Sequence, residues 1–306
     1  GSFFAIPYSL LKTAQAFFKA VGIFAKEKPD AYLSFGTYLS VPLALAAWVM
    51  RVPIIVHEQT RSVGFANAFV SRFARLVAVT YPETAPMVKN KHVAVTGNPI
   101  RTSIMKKSDS KPEWFTTKSK DPILFVVGGS QGSEVINTTV AQCLQQLTRK
   151  FVVIHQCGAK TNLRNYKKEL EYQKRKLSQN TQSKYFVLEW VSAEDLAWVY
   201  THAHMAISRA GANTVQELSL RHIPTIYIPL PFSHKNEQYL NAKALADTKQ
   251  AILINQKELS PEKLLEEVEY LSKKQKSFAR TLEREQSEQA SGSQKLFAEI
   301  TSILGS

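Results

Sequence analysis

The chain has 306 residues, 44% of them hydrophobic, enough to bury one large core or two ordinary ones. Its two cysteines, Cys143 and Cys157, stand in no CxxC or Cys/His cluster, which excludes a disulfide framework and points to a reducing cytoplasm. The formal net charge of +14 favours an anionic partner, while no apolar run approaches the ~20 residues of a membrane span and no secretory signal is legible.

The opening sets Phe3, Phe4, Ile6, Tyr8, Leu10, Leu11, Phe17 and Phe18 among Lys12 and Lys19, and residues 1–101 carry eleven Lys/Arg against four Asp/Glu. A basic amphipathic helix over Ile6–Lys26 suits an anionic membrane surface; it can equally pack on its own domain with snorkelling lysines. Short buried strands are predicted at Ala31–Ser34, Ile54–His57, Leu76–Val79 and Val93–Val95, with helices at Val41–Met50 and Val63–Phe73. Residues 105–121 have little periodicity and read as a linker.

A second alternation follows. Strands are predicted at Ile123–Val127, Val152–His155, Tyr185–Glu189, Met205–Ser208 and Thr225–Ile228. Helices are predicted at Ser133–Leu147, Ala193–Tyr200, Ala212–Leu220 and Gln238–Ala246. The lysines of Asn165–Lys184 read as a solvated helical face without a nucleic-acid motif, so no nucleic acid is expected. From Pro261 to Leu304 the tail is helical, with Leu264, Leu265, Val268 and Leu271 as its apolar stripe. The pattern is α/β: two doubly wound domains, over 1–104 and 122–285, with a last helix over 286–306.

Four segments carry chemistry. The first is Ile123-Leu-Phe-Val-Val-Gly-Gly-Ser-Gln-Gly132, a strand running into Gly128, Gly129, Ser130, Gln131 and Gly132 and then a helix. Glycines admit close backbone approach and a helix start offers unpaired N–H groups, so the natural ligand is a phosphate; packing alone also explains such turns. In the second, Ser208-Arg-Ala-Gly-Ala-Asn-Thr-Val-Gln-Glu217, Glu217 can accept ribose hydroxyls or simply favour a helix start. Gln238 and Asn241, further on, can read sugar hydroxyls or cap backbone. The third is Gly97-Asn-Pro-Ile-Arg101, whose arginine can reach a diphosphate. The fourth is His57-Glu-Gln-Thr60 with Asn67 beyond it; His57 and Glu58 form a possible acid/base pair, or His57 binds backbone.

These segments, with Ser34-Phe-Gly-Thr-Tyr-Leu-Ser and Gln238-x-x-Asn-Ala242, occur in the order found in the MurG family, which the chain resembles over nearly its whole length. The resemblance implies a GT-B fold, two Rossmann-like domains facing a cleft with the last helix crossing back. It implies transfer of N-acetylglucosamine from UDP-GlcNAc to the C4 hydroxyl of the muramoyl sugar of lipid I, with inversion, by a peripheral enzyme on the cytoplasmic face of the plasma membrane. Arg101 and Ser130 would lie near the diphosphate and Val191 would offer backbone to uracil. Ala212, Asn213, Thr214, Val215, Gln216 and Glu217 would hold the nucleoside, and Gln238 would touch the sugar.

On the acceptor side the resemblance points to Tyr38, Thr60 and Asn67. No metal and no tightly bound cofactor are expected, since no Asp-x-Asp motif occurs. The chain departs from the family at Thr37, where Gly is usual, at Thr60, where Asn is usual, and at Glu237. The family's opening glycine-rich loop, which holds its proposed base, has no match in residues 1–30, so the first domain reads as incomplete at its start. The base is therefore unassigned, with His57 and Glu58 as the candidates. A UDP-GlcNAc epimerase, a glycolipid glucosyltransferase and a non-catalytic UDP-sugar-binding protein are the competing readings.

Overall fold

The structure, a computed structural model, describes residues 5–160, 164–286 and 292–305, except for the side chains of residues 5–10, 234, 285 and 286. Phe3 and Phe4, and the side chains of Ile6, Tyr8 and Leu10, lie outside the described residues. The chain divides into two compact units, Gly1–Pro99 with Ser291–Ser306, and Ile100–Ala290.

Unit 1 begins with α1 (Ala5–Glu27), β1 (Tyr32–Ser34), α2 (Ser40–Val49), β2 (Ile54–Glu58), α3 (Phe65–Val70), β3 (Leu76–Val79) and β4 (Val93–Val95). The strands form one parallel sheet in the order β1-β2-β3-β4. Every residue of β2 and β3 is buried, as expected of a sheet covered on both faces, including the polar His57 and Glu58 at the end of β2. Val56, Val77 and Val79 meet Ala44 and Ala47 of α2 and Val70 of α3 in the core.

Helix α3 is shorter than the expected Val63–Phe73. At its start the Gly64 N–H is spent on Glu58 Oε2 at 2.9 Å, so residues 60–64 stay in a turn. At its end Arg72 and Phe73 donate three residues back, to Phe69 and Val70, which tightens the last turn out of α geometry.

Unit 2 contains α4 (Thr102–Met105), β5 (Ile123–Val127), α5 (Glu134–Lys150), β6 (Val152–Gln156), α6 (Tyr166–Lys174), α7 (Gln179–Gln182) and β7 (Tyr185–Leu188). It continues with α8 (Ala193–His202), β8 (Ala203–Ser208), α9 (Ala212–Leu220), β9 (Thr225–Tyr227), α10 (Glu237–Asp247), β10 (Ala251–Leu253) and α11 (Pro261–Gln286). Its parallel sheet runs β10-β9-β8-β5-β6-β7. One face buries Phe125, Ile154, Trp198, Tyr200 and Leu218; the other buries Leu124, Val126, Ile136, Leu144 and Leu264. The stripe Leu264, Val268 and Leu271 of α11 is buried there, as its spacing implies.

Residues 105–121, expected to be a linker, pack onto unit 2. The Phe115 ring stacks on Phe186 at 5.0 Å and lies 4.7 Å from Trp198, while Trp114 Nε1 donates to Asp195 at 2.9 Å. The contact boundary falls at Pro99 instead of the expected residue 104. The last helix, α12 (Gly292–Leu304), belongs to unit 1, where Gly292 sits so close to the Asn98 carbonyl that a Cβ would collide with it.

Candidate functional site

The strand order of unit 2 locates the first site. From β5 the chain moves to β6 on one side and later returns to β8 on the other, so β5 and β8 flank the topological switch point. In open parallel sheets ligands bind beyond the strand ends at this place. Val127 and Ser208, the last residues of the two strands, are register partners, so both glycine turns leave the sheet at the same level.

The turn after β5 has Gly129 at φ +91°, a conformation that favours glycine, with nothing within 4 Å of where a Cβ would stand. Gly128 is buried, Ser130 and Gln131 are exposed, and α5 starts at once. Ser133 caps that helix, its hydroxyl accepting from Ile136 N–H at 3.4 Å. The turn after β8 is braced from below by Arg209. Its buried guanidinium donates to the carbonyls of Ile228 and Pro229 at 2.9 and 3.0 Å and to Gln256 at 2.8 Å. Burial holds the pKa of Arg209 below its ordinary value.

Glu217 lies in the second turn of α9 and is buried. Tyr200 donates its hydroxyl to Oε2 at 3.0 Å, and Arg101 Nη2 stands 3.4 Å from Oε1. Burial raises the Glu217 pKa, and the Tyr200 and Arg101 contacts pull against that rise. Arg101, expected at a diphosphate, thus meets Glu217 directly. Asn213 is exposed and Ala212 and Thr214 half-buried, whereas Val215, Gln216 and Val191 are buried. The Val215 and Val191 side chains belong to the core, so these positions can offer only backbone to a ligand. Val191 N–H is already held by Gln156 Oε1 at 3.2 Å. Gln238 accepts from Leu230 N–H at 3.0 Å, and Asn241 donates to the Ala210 carbonyl at 3.2 Å, tying α10 to both neighbouring turns.

Two cavities of unit 2, of about 850 Å³ beside Trp114 and Asp195 and about 670 Å³ between His204 and α11, lie away from these turns. Neither is lined by a residue of the two glycine turns or by Glu217. The strand-end geometry is the stronger guide.

In unit 1 the residues expected on the acceptor side converge on Glu58. Its Oε1 accepts from Thr60 N–H at 3.1 Å and lies 2.9 Å from Thr60 Oγ1, whose single proton is shared with the Ser62 carbonyl at 2.5 Å; its Oε2 accepts from Gly64 N–H and Asn67 Nδ2, each at 2.9 Å. A buried carboxylate held by three N–H donors and a shared hydroxyl is a clamp on the 58–67 turn. Thr60 and Asn67 are correspondingly spent on Glu58, while Tyr38 stands 81% exposed.

His57 is fully buried, with Nε2 3.0 Å from the Gly97 carbonyl. That contact requires the proton on Nε2 and leaves Nδ1 as the acceptor, buried and without a hydrogen-bond partner among the described residues. Burial lowers the His57 pKa, against the raising effects of Gly97 and Glu58. Neither candidate presents a solvent-facing base. Tyr200, Arg209 and Gln156 were not found from sequence, because nothing in their spacing marks the partner that each meets in the fold.

Two family descriptions match the chain: the glycosyltransferase family 28 N-terminal domain over residues 1–79 and the C-terminal domain over residues 123–297. A UDP-N-acetylglucosamine–N-acetylmuramyl-(pentapeptide) pyrophosphoryl-undecaprenol N-acetylglucosamine transferase of Clostridium perfringens is 32% identical over 281 residues, 91% of this chain and 74% of that protein. The crystal structure of Acinetobacter baumannii MurG superposes with a TM-score of 0.68 at 28% identity, covering 95% of this chain and 78% of that one. A UDP-N-acetylglucosamine 2-epimerase assigned in Listeria monocytogenes gives a TM-score of 0.67 at 12% identity, with 95% and 78% covered. That second likeness is one of fold alone.

Proposed function

The chain belongs to glycosyltransferase family 28, to its MurG members with their GT-B fold, and from that membership we propose that it transfers N-acetylglucosamine from UDP-GlcNAc to lipid I, forming lipid II. The observation that carries the reading is the switch point of unit 2. There a glycine turn with a capped helix start and a buried carboxylate leave adjacent strand ends at one level.

The diphosphate would lie over Gly128–Gln131 against the N-terminus of α5, whose N–H groups and dipole favour negative charge. Arg101 would add its guanidinium. Glu217 would accept the ribose hydroxyls, the backbone of Val191 would meet uracil, and the Ala212–Gln216 turn would close over the nucleoside. Gln238, its oxygen spent on Leu230, would donate from Nε2 to a sugar hydroxyl. The muramoyl C4 oxygen attacks the anomeric carbon, the bond to the diphosphate oxygen breaks with inversion, and UDP leaves carrying the electron pair. The α5 terminus and Arg101 would stabilise the charge that grows on the leaving group. The proton acceptor is not assigned, and the burial of Glu58 and its three N–H bonds within the turn argue for a group other than that one.

Unit 1 would serve the acceptor and the membrane, with Tyr38 on the acceptor side. The exposed α1 residues Leu11 and Phe18, with the nearby lysines, would hold the protein peripherally on the cytoplasmic face of the plasma membrane. No described helix is long and apolar enough to cross a membrane. Donor binding would proceed without a metal; among the described residues no group of three or more His, Cys, Asp or Glu is placed to hold one. Incubation with lipid I and labelled UDP-GlcNAc tests the proposal. Labelled lipid II, unaffected by EDTA, is the expected product. Release of a 2-epimerised sugar without acceptor transfer would overturn the proposal.

A further inference from the structure

The polar residues at the end of β6 are used by none of the contacts proposed above, although they are buried in an otherwise apolar sheet. His155, Gln156, Asn137 and Tyr185 are all at most 5% exposed. Tyr185 Oη lies 2.9 Å from His155 Nδ1, and Asn137 Oδ1 lies 2.9 Å from His155 Nε2. Asn137 Nδ2 donates to the Cys157 carbonyl at 3.0 Å, which makes Oδ1 the acceptor and puts the His155 proton on Nε2. Tyr185 then donates to Nδ1. Burial pushes the His155 pKa down to about 3, so this neutral arrangement holds across the physiological range.

The chain of bonds ends at the glycine turn. Asn137 sits in the first turn of α5, and the Cys157 carbonyl that it grips is packed against Gly132. A Cβ on Gly132 would collide with that carbonyl, and one on Gly158 would collide with the Gly132 backbone. Successive strand residues face opposite sides of a sheet. Accordingly Gln156 points the other way and holds Val191 N–H at 3.2 Å. One strand end therefore grips two loops on opposite faces.

We propose that His155–Gly158 is the positioning element of the nucleotide site, fixing the diphosphate turn through Asn137 and Gly132 and the uracil-side backbone through Gln156. This rests on the donor-site reading above. A buried polar network is no more stabilising than a well-packed apolar core, but when fully satisfied it specifies one geometry. The two arms are separate, so they can be cut separately.

The test measures the affinities of the full chain for UDP, uridine and inorganic pyrophosphate by calorimetry, with unfolding temperatures alongside. Gln156→Met removes the acceptor at equal length and should weaken uridine about tenfold, the worth of one hydrogen bond, while leaving pyrophosphate unchanged. Gln156→Glu keeps an acceptor oxygen and should recover most of the uridine affinity. Asn137→Leu should do the reverse of Gln156→Met, and Tyr185→Phe should weaken pyrophosphate several-fold. Parallel loss of both ligands in proportion to lost thermal stability would reduce the network to ordinary packing, and undiminished binding of both would remove its role altogether. UDP binding by the wild type with no split between the variants overturns this inference alone; failure of the wild type to bind UDP overturns the donor-site reading with it.

Discussion

Tyr200 of α8 donates its hydroxyl to Glu217 of α9 at 3.0 Å, and both side chains are buried. With Arg101 at 3.4 Å on the other oxygen, the bond holds the buried carboxylate in place, and it limits how far burial can raise the Glu217 pKa.

The sign of that shift gives a stability prediction. Below the ordinary value of 4.5 Glu217 is protonated whether the chain is folded or not, and burial costs nothing through this group; above its raised folded-state pKa the cost is complete. Glu217→Gln should therefore raise the unfolding temperature at neutral pH, with the gain vanishing toward pH 4. The same variant should lose about ten- to a hundredfold in UDP affinity, and Glu217→Ala likewise, from charge-assisted hydrogen bonds of roughly 1.5–3 kcal/mol. A variant that binds UDP as wild type does would free Glu217 from the ribose.

Tyr200→Phe should act in the opposite direction on the same group. Without the donor the Glu217 pKa rises further, so UDP binding should fall away at a higher pH on the acid side than in wild type. The check is a pH titration of UDP affinity for both proteins. Superimposable acid limbs would contradict the assignment.

Glu58 is predicted to act as a clamp. Glu58→Gln places an amide NH₂ against one of the present donors, Thr60 or Gly64 and Asn67, at a cost of about 1–3 kcal/mol. Urea unfolding should show that loss. A variant of unchanged stability with turnover reduced a hundredfold or more would restore Glu58 as the base.

Thr37 has φ +74°, in the left-handed region that a β-branched residue rarely adopts. That conformation costs roughly 1–2 kcal/mol, partly offset on Thr37→Gly by the greater freedom of the unfolded glycine chain, about 0.5–1 kcal/mol. Thr37→Gly should therefore stabilise the protein by up to about 1 kcal/mol in urea unfolding. Loss of stability would mean that the threonine side chain holds the turn by a contact worth more than the strain.

Much of this fold was legible because both sheets are parallel and buried on both faces, so β3 and β5 read as unbroken apolar runs and β2 and β6 each open on three apolar residues. β10 (Ala251–Leu253) was not expected, because what makes it a strand is its pairing with β9, a tertiary fact. Residues 105–121 read as a linker because Trp114 and Phe115 are only two aromatics in a polar stretch; their partners Phe186, Asp195 and Trp198 lie far along the chain. At the site the glycine turns and Glu217 stood out through local chemistry. The bonds that Glu58 makes to its own turn, and the grip of Gln156 on Val191, are choices of partner that spacing cannot show.

Membrane attachment is predicted through α1, where Leu11 and Phe18 are 57% and 70% exposed beside Lys12 and Lys19. Co-sedimentation with anionic vesicles should weaken with salt, because charge attraction is screened within about a Debye length. Changing Lys12 and Lys19 to Glu should lower it further. If vesicle binding survives both changes, the attachment surface lies elsewhere.

The central claim is that the β5/β8 switch point of unit 2 holds UDP-GlcNAc. Calorimetric titration of the 306-residue chain with UDP-GlcNAc and, separately, with GDP-mannose tests it most directly. Saturable one-to-one binding of UDP-GlcNAc that is at least tenfold tighter than GDP-mannose and lost in Glu217→Ala is the predicted result, an interval of about 1.4 kcal/mol. Equal affinity for the two sugar nucleotides, or UDP-GlcNAc binding that Glu217→Ala leaves intact, would contradict it.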